Sequence, residues 1–305
     1  MIPDAARERL EDALGERVRF GVPLSRHTSL RVGGPAGALA TPANRNELAQ
    51  LLGVCSDHRI EHAVLGSGFN TLVLDGGFDG VVIRMSRWRR LEERPGHALR
   101  TDTGVSHAQV TNFCVERGLS GLEFACGIPG SVGGWVAMNA GIPGRETCDV
   151  LREVEVMSPT GTTIRHMKVG DLRFAYRALR GLAAGSLILS ALFEVEIATP
   201  ESVRAEVERL LALRGDAQPL NLPSCGSVFK NPPGDFAGRL IESVGLKGRA
   251  IGGAQISPMH ANFITNSGGA TAGDVLALIE EAQKKVFDET GVRLVPEVRI
   301  VGRGA

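Results

Sequence analysis

Residues 118–141, with the sequence GLSGLEFACGIPGSVGGWVAMNAG, are the most informative stretch of this chain. Glycines are interspersed among apolar residues through the stretch, so it holds few side chains that could perform acid–base chemistry. Glycine tolerates a positive φ angle and lets a ligand approach the main chain closely. The segment GIPGSVGG at 127–134 is therefore typical of a loop whose backbone N–H groups bind phosphate oxygens.

A second glycine-rich turn lies upstream, in VLGSGFNTLV at 64–73. It separates two apolar runs, and its Asn70 can bond nearby backbone and tolerate a left-handed conformation. Two separate phosphate-binding loops together favour a dinucleotide clamped between lobes, although either loop alone would also fit an ordinary turn between strands. The chain has no GxxxxGK[ST] motif, and neither loop shows GxGxxG opening a helix, which excludes the P-loop and Rossmann folds.

The overall composition is that of a soluble globular protein with two or three lobes. Its 305 residues include 34 acidic and 34 basic side chains without a basic block, so neither nucleic acid nor a membrane is expected as a partner. No apolar run is long enough to span a membrane, and residues 1–18 do not resemble a signal peptide, so we expect a cytoplasmic protein. The five cysteines form no CxxC pair, which argues against disulfides and against a metal site, and most of them are expected to be buried.

Short apolar runs alternate with amphipathic segments, which predicts a mixed α and β architecture. Thr199 followed by Pro200 indicates a helix start, and Thr271 with Asp274 three residues later resembles a capping box. The segment QPLNLPSCGS at 218–227 indicates a boundary near the active site. Strands are predicted at 63–73, 80–85, 151–158, 186–197 and 293–301, and helices at 46–58, 107–117, 201–214, 237–244 and 271–290.

Eight segments of the chain are specific enough to compare with known families. They are HTSLRVGGPA (27–36), VLGSGFNTLV (64–73), GLEFACGIPGSVGGWVAMNAG (121–141), FAYR (174–177), CGSVFKNPPG (225–234), AGRLIESVGLKGRAIGGAQIS (237–257), HANFITN (260–266) and VPEVRIVG (295–302). In order and spacing they resemble the UDP-N-acetylenolpyruvoylglucosamine reductases, flavoproteins of bacterial peptidoglycan synthesis. The resemblance covers nearly the whole chain. It implies an α+β protein with an FAD-binding fold of the vanillyl-alcohol-oxidase (PCMH) type, in two lobes at 1–85 and 86–198, and a C-terminal α+β substrate-binding domain at 199–305.

The resemblance also implies the reaction: hydride transfer from NADPH to FAD, and then to the enolpyruvyl group of UDP-N-acetylglucosamine enolpyruvate, giving UDP-N-acetylmuramate. Three motif positions match the family's catalytic residues. Arg177 would bind the substrate carboxylate, although an arginine in this position would also fit a surface ion pair. Ser227 would donate a proton to the substrate carbon, with Lys230 as a candidate activator, unless it only bonds a local turn. A protonated Glu297 would donate a hydrogen bond to the developing enolate, unless it pairs with Arg299.

Binding residues carry over from the same motifs. The expected flavin contacts are Arg31, Gly33, Gly34, Gly66, Ser67, Gly68, Phe69, Asn70, Gly127, Ile128, Pro129, Gly130, Ser131, Gly133 and Gly134, with Asn139, Ala140 and Gly141 near the isoalloxazine ring. The expected substrate contacts are Tyr176, Lys230, Asn231, Gln255, His260 and Asn262, of which the lysine and the histidine would meet diphosphate or carboxylate oxygens.

The sequence departs from the family pattern at several positions. Phe69 stands where a small or hydroxylic residue is usual, Ile142 and Pro143 replace Ala-Tyr, Leu179 replaces a serine, and Met259 replaces a lysine. Tyr176 is the only tyrosine, so the chain resembles the subgroup that lacks a tyrosine lid over the substrate diphosphate.

Two other functions remain open at this point. One is an FAD-dependent sugar or alcohol oxidase of the same fold, and the other is a non-catalytic flavin-binding module. The motifs after residue 199 favour the reductase, since an oxidase would differ there and a binding module would need neither Ser227 nor Glu297. The sequence leaves open the choice between NADPH and NADH and the oligomeric state, for which a monomer is favoured.

Overall fold

The structure, a computed structural model, describes residues 2–215, 218–219 and 221–304. Its contacts group the chain into two compact units, each assembled from segments that are distant in the sequence. The first unit comprises Met1–Phe20, Ala38–Ser67 and Gly80–Leu213, and the second comprises Gly21–Gly37, Gly68–Asp79 and Arg214–Ala305. The sequence-based division at 85/86 and 198/199 stays a prediction.

Helices and strands are interspersed along the whole chain. The helices are α1 (Asp4–Leu14), α2 (Arg45–Asp57), α3 (His107–Arg117), α4 (Val132–Met138), α5 (Pro200–Gly215), α6 (Ala237–Ser243) and α7 (Ala272–Thr290). The strands are β1 (Val18–Pro23), β2 (Pro35–Ala40), β3 (His62–Val64), β4 (Thr71–Val73), β5 (Phe78–Ile83), β6 (Leu91–Arg94), β7 (Ala98–Asp102), β8 (Leu119–Ser120), β9 (Gly141–Ile142), β10 (Arg145–Glu146), β11 (Leu151–Met157), β12 (Ile164–Lys168), β13 (Arg173–Ala175), β14 (Ala178–Arg180), β15 (Leu187–Glu194), β16 (Glu196–Ile197), β17 (Ser224–Ser227), β18 (Ala250–Ile251), β19 (Ala254–Ile256), β20 (Phe263–Asn266) and β21 (Arg299–Val301). The α+β class predicted from the sequence is confirmed.

A five-stranded antiparallel sheet of order β12-β11-β15-β7-β6 forms one core of the first unit. Its register places Val154 opposite Ala191, and Ala191 opposite Thr101. Trp135 and Val136 of helix α4 are buried in the same core as Val154. The helix that follows the glycine-rich loop is therefore anchored to this sheet.

A second core of the first unit surrounds helices α1 and α2. The helices bury Leu10 and Leu51 together with Val81 of β5, a strand of the four-stranded sheet of order β1-β2-β5-β3. Asn44 caps α2, because its Oδ1 accepts the N–H of Glu47 at 3.0 Å.

The second unit is built on an antiparallel sheet of order β17-β20-β19-β18 with helices α6 and α7. Thr271 and Asp274 form the capping box predicted for α7, and the carboxylate of Asp75 accepts the N–H groups of Ala272 and Gly273 at 2.9 and 2.8 Å. These acceptors satisfy donors that a helix N-terminus otherwise leaves without partners. Strands β4 and β21 pair in parallel beside this sheet.

Helix predictions are confirmed almost throughout, whereas two strand predictions are wrong in part. Helix α3 has the predicted bounds, and Thr199 caps α5 through the N–H of Ser202. The predicted strand 63–73 is two strands separated by a turn, since β3 ends at Val64 and β4 begins at Thr71. The predicted strand 293–301 is limited to β21, because Pro296 has no N–H to donate to a ladder.

Two helices were not predicted from the sequence. Helix α1 lies in the charged N-terminal segment, and α4 begins at Val132 inside the segment interpreted as a loop. Four cysteines are buried as expected, and burial raises the pKa of Cys55, Cys114 and Cys225 to about 12. Among the described helices, none combines the length and the apolar character that crossing a membrane requires.

Candidate active site

The glycine-rich loop at 127–134 is fixed to the first unit by its downstream half. The N–H groups of Val132 and Gly133 donate to the carbonyl oxygens of Val105 and Thr103 at 3.0 and 2.9 Å. A Cβ on Gly133 would lie 1.9 Å from Oγ1 of Thr103, so only glycine fits there. By contrast, a Cβ on Gly130 would meet no atom within 4 Å, which leaves space on that side of the loop.

The first part of the turn at 64–73 lies against this loop within the same unit. A Cβ on Gly66 would approach Oγ of Ser131 to 2.9 Å, and one on Gly134 would have only that Oγ near it, at 3.9 Å. Gly66, Ser67 and Gly134 are exposed. The first unit therefore brings together Gly66 and the 127–134 loop, with open space beside Gly130 and Gly134 that fits the close approach of a phosphate-bearing ligand.

Other expected flavin contacts in the second unit have packing roles there. A Cβ on Gly68 would lie 2.2 Å from the carbonyl oxygen of His27, and one on Gly34 would lie 2.1 Å from that of Asp75. Gly33 is similarly close to Val73, with 2.7 Å between Cβ positions. At these three positions any side chain would clash with neighbouring residues of the second unit. The need for glycine there does not by itself indicate a ligand.

Left-handed backbone conformations coincide with the predicted site. In the described part of the chain, six residues other than glycine have a positive φ angle. Four of these are predicted site residues, namely Arg31, Asn70, Asn139 and Arg177, with φ between 44 and 58°. Asparagine tolerates this conformation, but for the two arginines it is strained, and strain of this kind concentrates at functional sites. The prediction for Asn70 is confirmed in this respect.

Arg177 is the second residue of the two-residue loop between β13 and β14. Its Nη2 donates to the carbonyl oxygen of Gly141 at 2.9 Å, and its Nη1 lies 3.6 Å from Oε1 of Glu146. The guanidinium also lies over the ring of Tyr176, whose side chain is 45% exposed. Arg177 is therefore part of an organised cluster rather than a simple surface ion pair.

Asn139 connects the elements around this cluster. Its Nδ2 donates to Oε2 of Glu146 at 2.7 Å and to the carbonyl oxygen of Ala175 at 3.3 Å, while its Oδ1 accepts the N–H of Cys148 at 3.0 Å. The side chain is only 1% exposed. The amide of Asn139 thus hydrogen-bonds other protein groups, a role that the motif does not reveal. Glu146 is not among the site residues predicted from the sequence.

In the second unit, a backbone hydrogen bond brings the main chain at Glu297 next to the residue that follows Ser227. The carbonyl oxygen of Val228, the residue after Ser227, accepts the N–H of Glu297 at 2.7 Å and that of Val298 at 3.2 Å. Both Ser227 and Glu297 are half-buried. Burial raises the pKa of the Cys225 thiol, and an ionised carboxylate at Glu297 would raise it further.

Several expected substrate contacts are engaged with backbone. Oδ1 and Nδ2 of Asn262 bond the N–H and the carbonyl of Phe229 at 2.9 and 2.8 Å, so the whole amide is used. Asn231 accepts the N–H of Ala237 at 3.1 Å, and Gln255 donates to the carbonyl of Gly248 at 3.0 Å.

His260 is one of the two residues expected to meet anionic oxygens of the substrate. Burial lowers its pKa, and its Nδ1 accepts the N–H of Asn262 at 3.2 Å. Its ordinary pKa is already below 7. At pH 7 His260 is therefore neutral, and it can offer a hydrogen bond from Nε2 rather than a positive charge.

Comparisons with known proteins identify the family of this chain. A family model described as an FAD binding domain matches residues 36–166, and one described as the C-terminal domain of UDP-N-acetylenolpyruvoylglucosamine reductase matches residues 218–301. The reductase of Geotalea uraniireducens is 40% identical over 98% of this chain and 99% of that protein, and that of Heliobacterium modesticaldum is 45% identical over 92% and 89%. The chain belongs to the UDP-N-acetylenolpyruvoylglucosamine reductase family. The family resemblance seen in the motifs is confirmed.

Solved structures give the same result for the fold of this family member. The crystal structure of the UDP-N-acetylenolpyruvylglucosamine reductase from Thermus caldophilus superposes with a TM-score of 0.79 at 35% identity, over 92% of this chain and 97% of that chain. A VAO-type flavoprotein from Myceliophthora thermophila superposes with a TM-score of 0.50 at 10% identity, over 65% and 48%, which shows a shared fold alone. The family member described here is thus a flavin-dependent oxidoreductase with FAD as its cofactor.

Proposed function

We propose that this protein uses NADPH to reduce UDP-N-acetylglucosamine enolpyruvate to UDP-N-acetylmuramate, a step of peptidoglycan synthesis on which cell shape and division depend. We further propose that it acts in the cytoplasm as a monomer, without nucleic acid or membrane as a partner. Bound FAD contributes the hydride-transfer chemistry of this reaction. The protein's own residues must bind the substrate carboxylate, deliver a proton and stabilise negative charge.

Arg177 is the proposed partner of the substrate carboxylate. A guanidinium is planar, always charged and able to donate two parallel hydrogen bonds to a carboxylate. The strained loop supports this role, because the left-handed conformation at Arg177 would be easier for glycine. An arginine at a position where glycine would be less strained fits a side chain that serves a purpose other than stability.

Ser227 and Glu297 are the proposed acid groups, and the observation that carries the assignment is that Val228, the residue after Ser227, accepts the backbone N–H of Glu297. In the proposal, Oγ of Ser227 gives its proton to the substrate carbon. A serine hydroxyl is a weak acid, so a neighbouring positive charge such as Lys230 is needed to favour this transfer. Glu297, kept neutral beside the developing enolate, would donate a hydrogen bond to it.

The flavin contacts and the remaining substrate contacts stay proposals at the positions given above. Among the flavin contacts, Gly130 and Gly134 have the clearest support, because the first unit leaves room beside them, and Gly66 lies against Ser131 of the same loop. Among the substrate contacts, Lys230 and Tyr176 are the candidates for anionic and stacking contacts. For Asn262, an indirect contribution through the backbone of Phe229 fits the geometry better than direct contact.

The proposal is tested by the two half-reactions of the Ser227→Ala variant. Reduction of the flavin by NADPH should stay within about twofold of the wild-type rate, since no proton from Ser227 is needed. Reoxidation by the enolpyruvyl sugar nucleotide should fall by about a hundredfold or more, the usual contribution of a positioned acid. Anaerobic stopped-flow absorbance of the flavin measures both rates.

The matched control is Ser224→Ala, on the same strand and equally half-buried. It should leave both half-reactions unchanged. Equal losses in both half-reactions of Ser227→Ala would contradict the proton-donor role. Oxygen-dependent oxidation of a sugar or alcohol, without NADPH, would instead support the oxidase of the same fold.

A further inference from the structure

Glu146 lies beside Arg177 in an arrangement that the sequence motifs did not reveal. Its two carboxylate oxygens have different partners, since Oε1 lies 3.6 Å from Nη1 of Arg177 and Oε2 accepts Nδ2 of Asn139 at 2.7 Å. The side chains of Arg177 and Glu146 are 18% and 29% exposed. The carboxylate is therefore fixed on one side by a buried amide and faces the guanidinium on the other.

The backbone around Glu146 is also fixed. Glu146 pairs with Gly141 across the β9–β10 hairpin, and its N–H donates to Oδ2 of Asp149 at 2.7 Å. Gly141 accepts Nη2 of Arg177 at its carbonyl oxygen, and a Cβ on Gly141 would lie 2.4 Å from the carbonyl oxygen of Arg145. Two of the groups that contact the guanidinium thus belong to paired residues of one hairpin.

These contacts determine the plane of the guanidinium. Nη2 donates to the carbonyl oxygen of Gly141 and Nη1 lies near the carboxylate of Glu146, two groups whose separation is set by the hairpin, so the Arg177 side chain has little freedom to rotate. A carboxylate ligand requires a particular orientation of the planar fork, and small misplacements of a binding group are costly in catalysis. The 3.6 Å between Nη1 of Arg177 and Oε1 of Glu146 is longer than a hydrogen bond, so Glu146 acts on the guanidinium through its charge.

We propose that Glu146 is a positioning residue that orients Arg177 toward the carboxylate of the substrate. This inference rests on the proposed function, because it assigns Glu146 a part in the same half-reaction. Glu146 does not touch the substrate in this scheme. It acts only through the guanidinium.

A double-mutant cycle with Glu146→Gln and Arg177→Lys tests the inference. Glutamine keeps the size of the side chain and an oxygen for Asn139, but removes the charge facing Arg177. We expect Glu146→Gln alone to slow reoxidation of the flavin by substrate about tenfold, while FAD content, thermal unfolding and reduction by NADPH stay unchanged. In the Arg177→Lys background, which lacks the planar fork, the same change should have an effect of less than about twofold.

The control is Glu153→Gln, which removes a carboxylate that pairs with His166 on another part of the first unit. It should alter neither half-reaction. Equal effects of Glu146→Gln in both backgrounds would overturn the inference, because a residue that acts only through Arg177 cannot remain effective without its fork. Loss of FAD content or of thermal stability in Glu146→Gln would also overturn it.

The same experiment separates this inference from the proposed function. If the wild-type protein, once reduced, is not reoxidised by the enolpyruvyl substrate, the proposed function is wrong and the inference fails with it. If the wild type is reoxidised and Arg177→Lys slows that step, while Glu146→Gln has no effect, only the inference is wrong.

Discussion

At the scale of single residues, the conformation of Arg177 is the most informative feature of the first unit. Its φ of 55° places a long, charged side chain in a region that glycine occupies without cost. The contacts with Gly141 and Glu146 hold the side chain of Arg177 in one orientation. The residue thus combines local strain with a defined orientation, a combination typical of binding groups.

The strain at Arg177 can be separated from its function by comparing Arg177→Gly with Arg177→Ala. Both variants lose the guanidinium, so both should lose substrate-driven reoxidation of the flavin to the same extent. Arg177→Gly should be more stable than Arg177→Ala by about 0.5 to 1 kcal/mol, because relief of the left-handed strain is partly offset by the entropy of glycine in the unfolded chain. Chemical denaturation of both variants measures this difference, and equal stabilities would argue against strain.

A motif specifies positions more readily than tasks, and the catalytic roles at Arg177, Ser227 and Glu297 stay predictions. Arg177, Ser227 and Glu297 were named from the sequence because a motif specifies residue type and order. The task of Asn262 was not predictable, since it depends on the backbone of Phe229, which lies 33 residues away. Glu146 was missed because only the pairing of β9 with β10 brings it opposite Gly141.

At the scale of elements, the glycine-rich loop and helix α4 form one functional piece. Gly133 and Gly134 are poor helix formers, yet the helix begins at Val132 because Trp135 and Val136 are buried in the core of the sheet. Tertiary packing therefore overrides the local preference that led us to expect a loop throughout. The two glycines differ in surroundings, since Gly133 meets Thr103 and Gly134 is exposed.

This difference predicts opposite outcomes for two alanine variants. Gly134→Ala should leave the apoprotein as stable as the wild type, or more stable by up to about 1 kcal/mol, because alanine favours a helix. It should nevertheless weaken FAD binding at least about tenfold if the ligand approaches this backbone closely. Gly133→Ala should destabilise the apoprotein by about 1 to 3 kcal/mol through the clash with Thr103. Denaturation of the apoproteins and flavin titration measure these effects, and normal FAD affinity in Gly134→Ala would contradict the assignment.

Glu155 connects several elements of the first unit at a buried position. Its carboxylate accepts hydrogen bonds from Arg45 on α2, from Arg100 on β7 and from Ser190 on β15. Burial acts to raise its pKa, but the hydrogen bonds from Arg45 and Ser190 and the charges of Arg45 and Arg100 together lower it below the ordinary value. The ionised carboxylate is therefore the form that stabilises the fold.

The pH dependence of stability should reveal this contribution. Since the folded pKa of Glu155 is depressed, its stabilisation is present above the ordinary carboxyl pKa and is lost as the pH falls through the folded value. Glu155→Gln should lower the free energy of unfolding by about 2 to 3 kcal/mol at pH 7, and the difference from wild type should shrink below about pH 4. Urea denaturation across this range is the measurement. A difference in unfolding free energy that stays constant with pH would contradict this role of Glu155. The control is Glu206→Gln, which removes an exposed ion pair with Arg209 and should cause no measurable change.

Helices were easier to predict than strands for physical reasons. The ends of α3, α5 and α7 are marked by side chains that cap them locally, such as Ser106 and Thr271. The strand predicted at 293–301 has suitable β-branched residues, but the N–H groups of Glu297 and Val298 converge on the single carbonyl of Val228. Strand pairing depends on partners distant in the sequence, which local patterns do not reveal.

At the scale of the whole molecule, each unit is assembled from segments that are distant in the sequence. The second unit takes Gly21–Gly37 and Gly68–Asp79 from the N-terminal region in addition to the C-terminal segment. A sequence pattern describes consecutive residues, so it favours consecutive lobes, and the boundaries predicted at 85/86 and 198/199 stay predictions. Family membership is independent of these boundaries, because the similarity extends over nearly the entire chain.

We propose that this chain, with FAD bound, passes electrons from NADPH to an enolpyruvyl sugar nucleotide. The most direct measurement is the absorbance spectrum of the purified protein under anaerobic conditions, titrated with NADPH and then with UDP-N-acetylglucosamine enolpyruvate. We expect an oxidised flavin spectrum that is bleached by NADPH and restored by the sugar nucleotide. A colourless protein that does not bind added FAD, or a reduced flavin that only oxygen restores, would contradict the account.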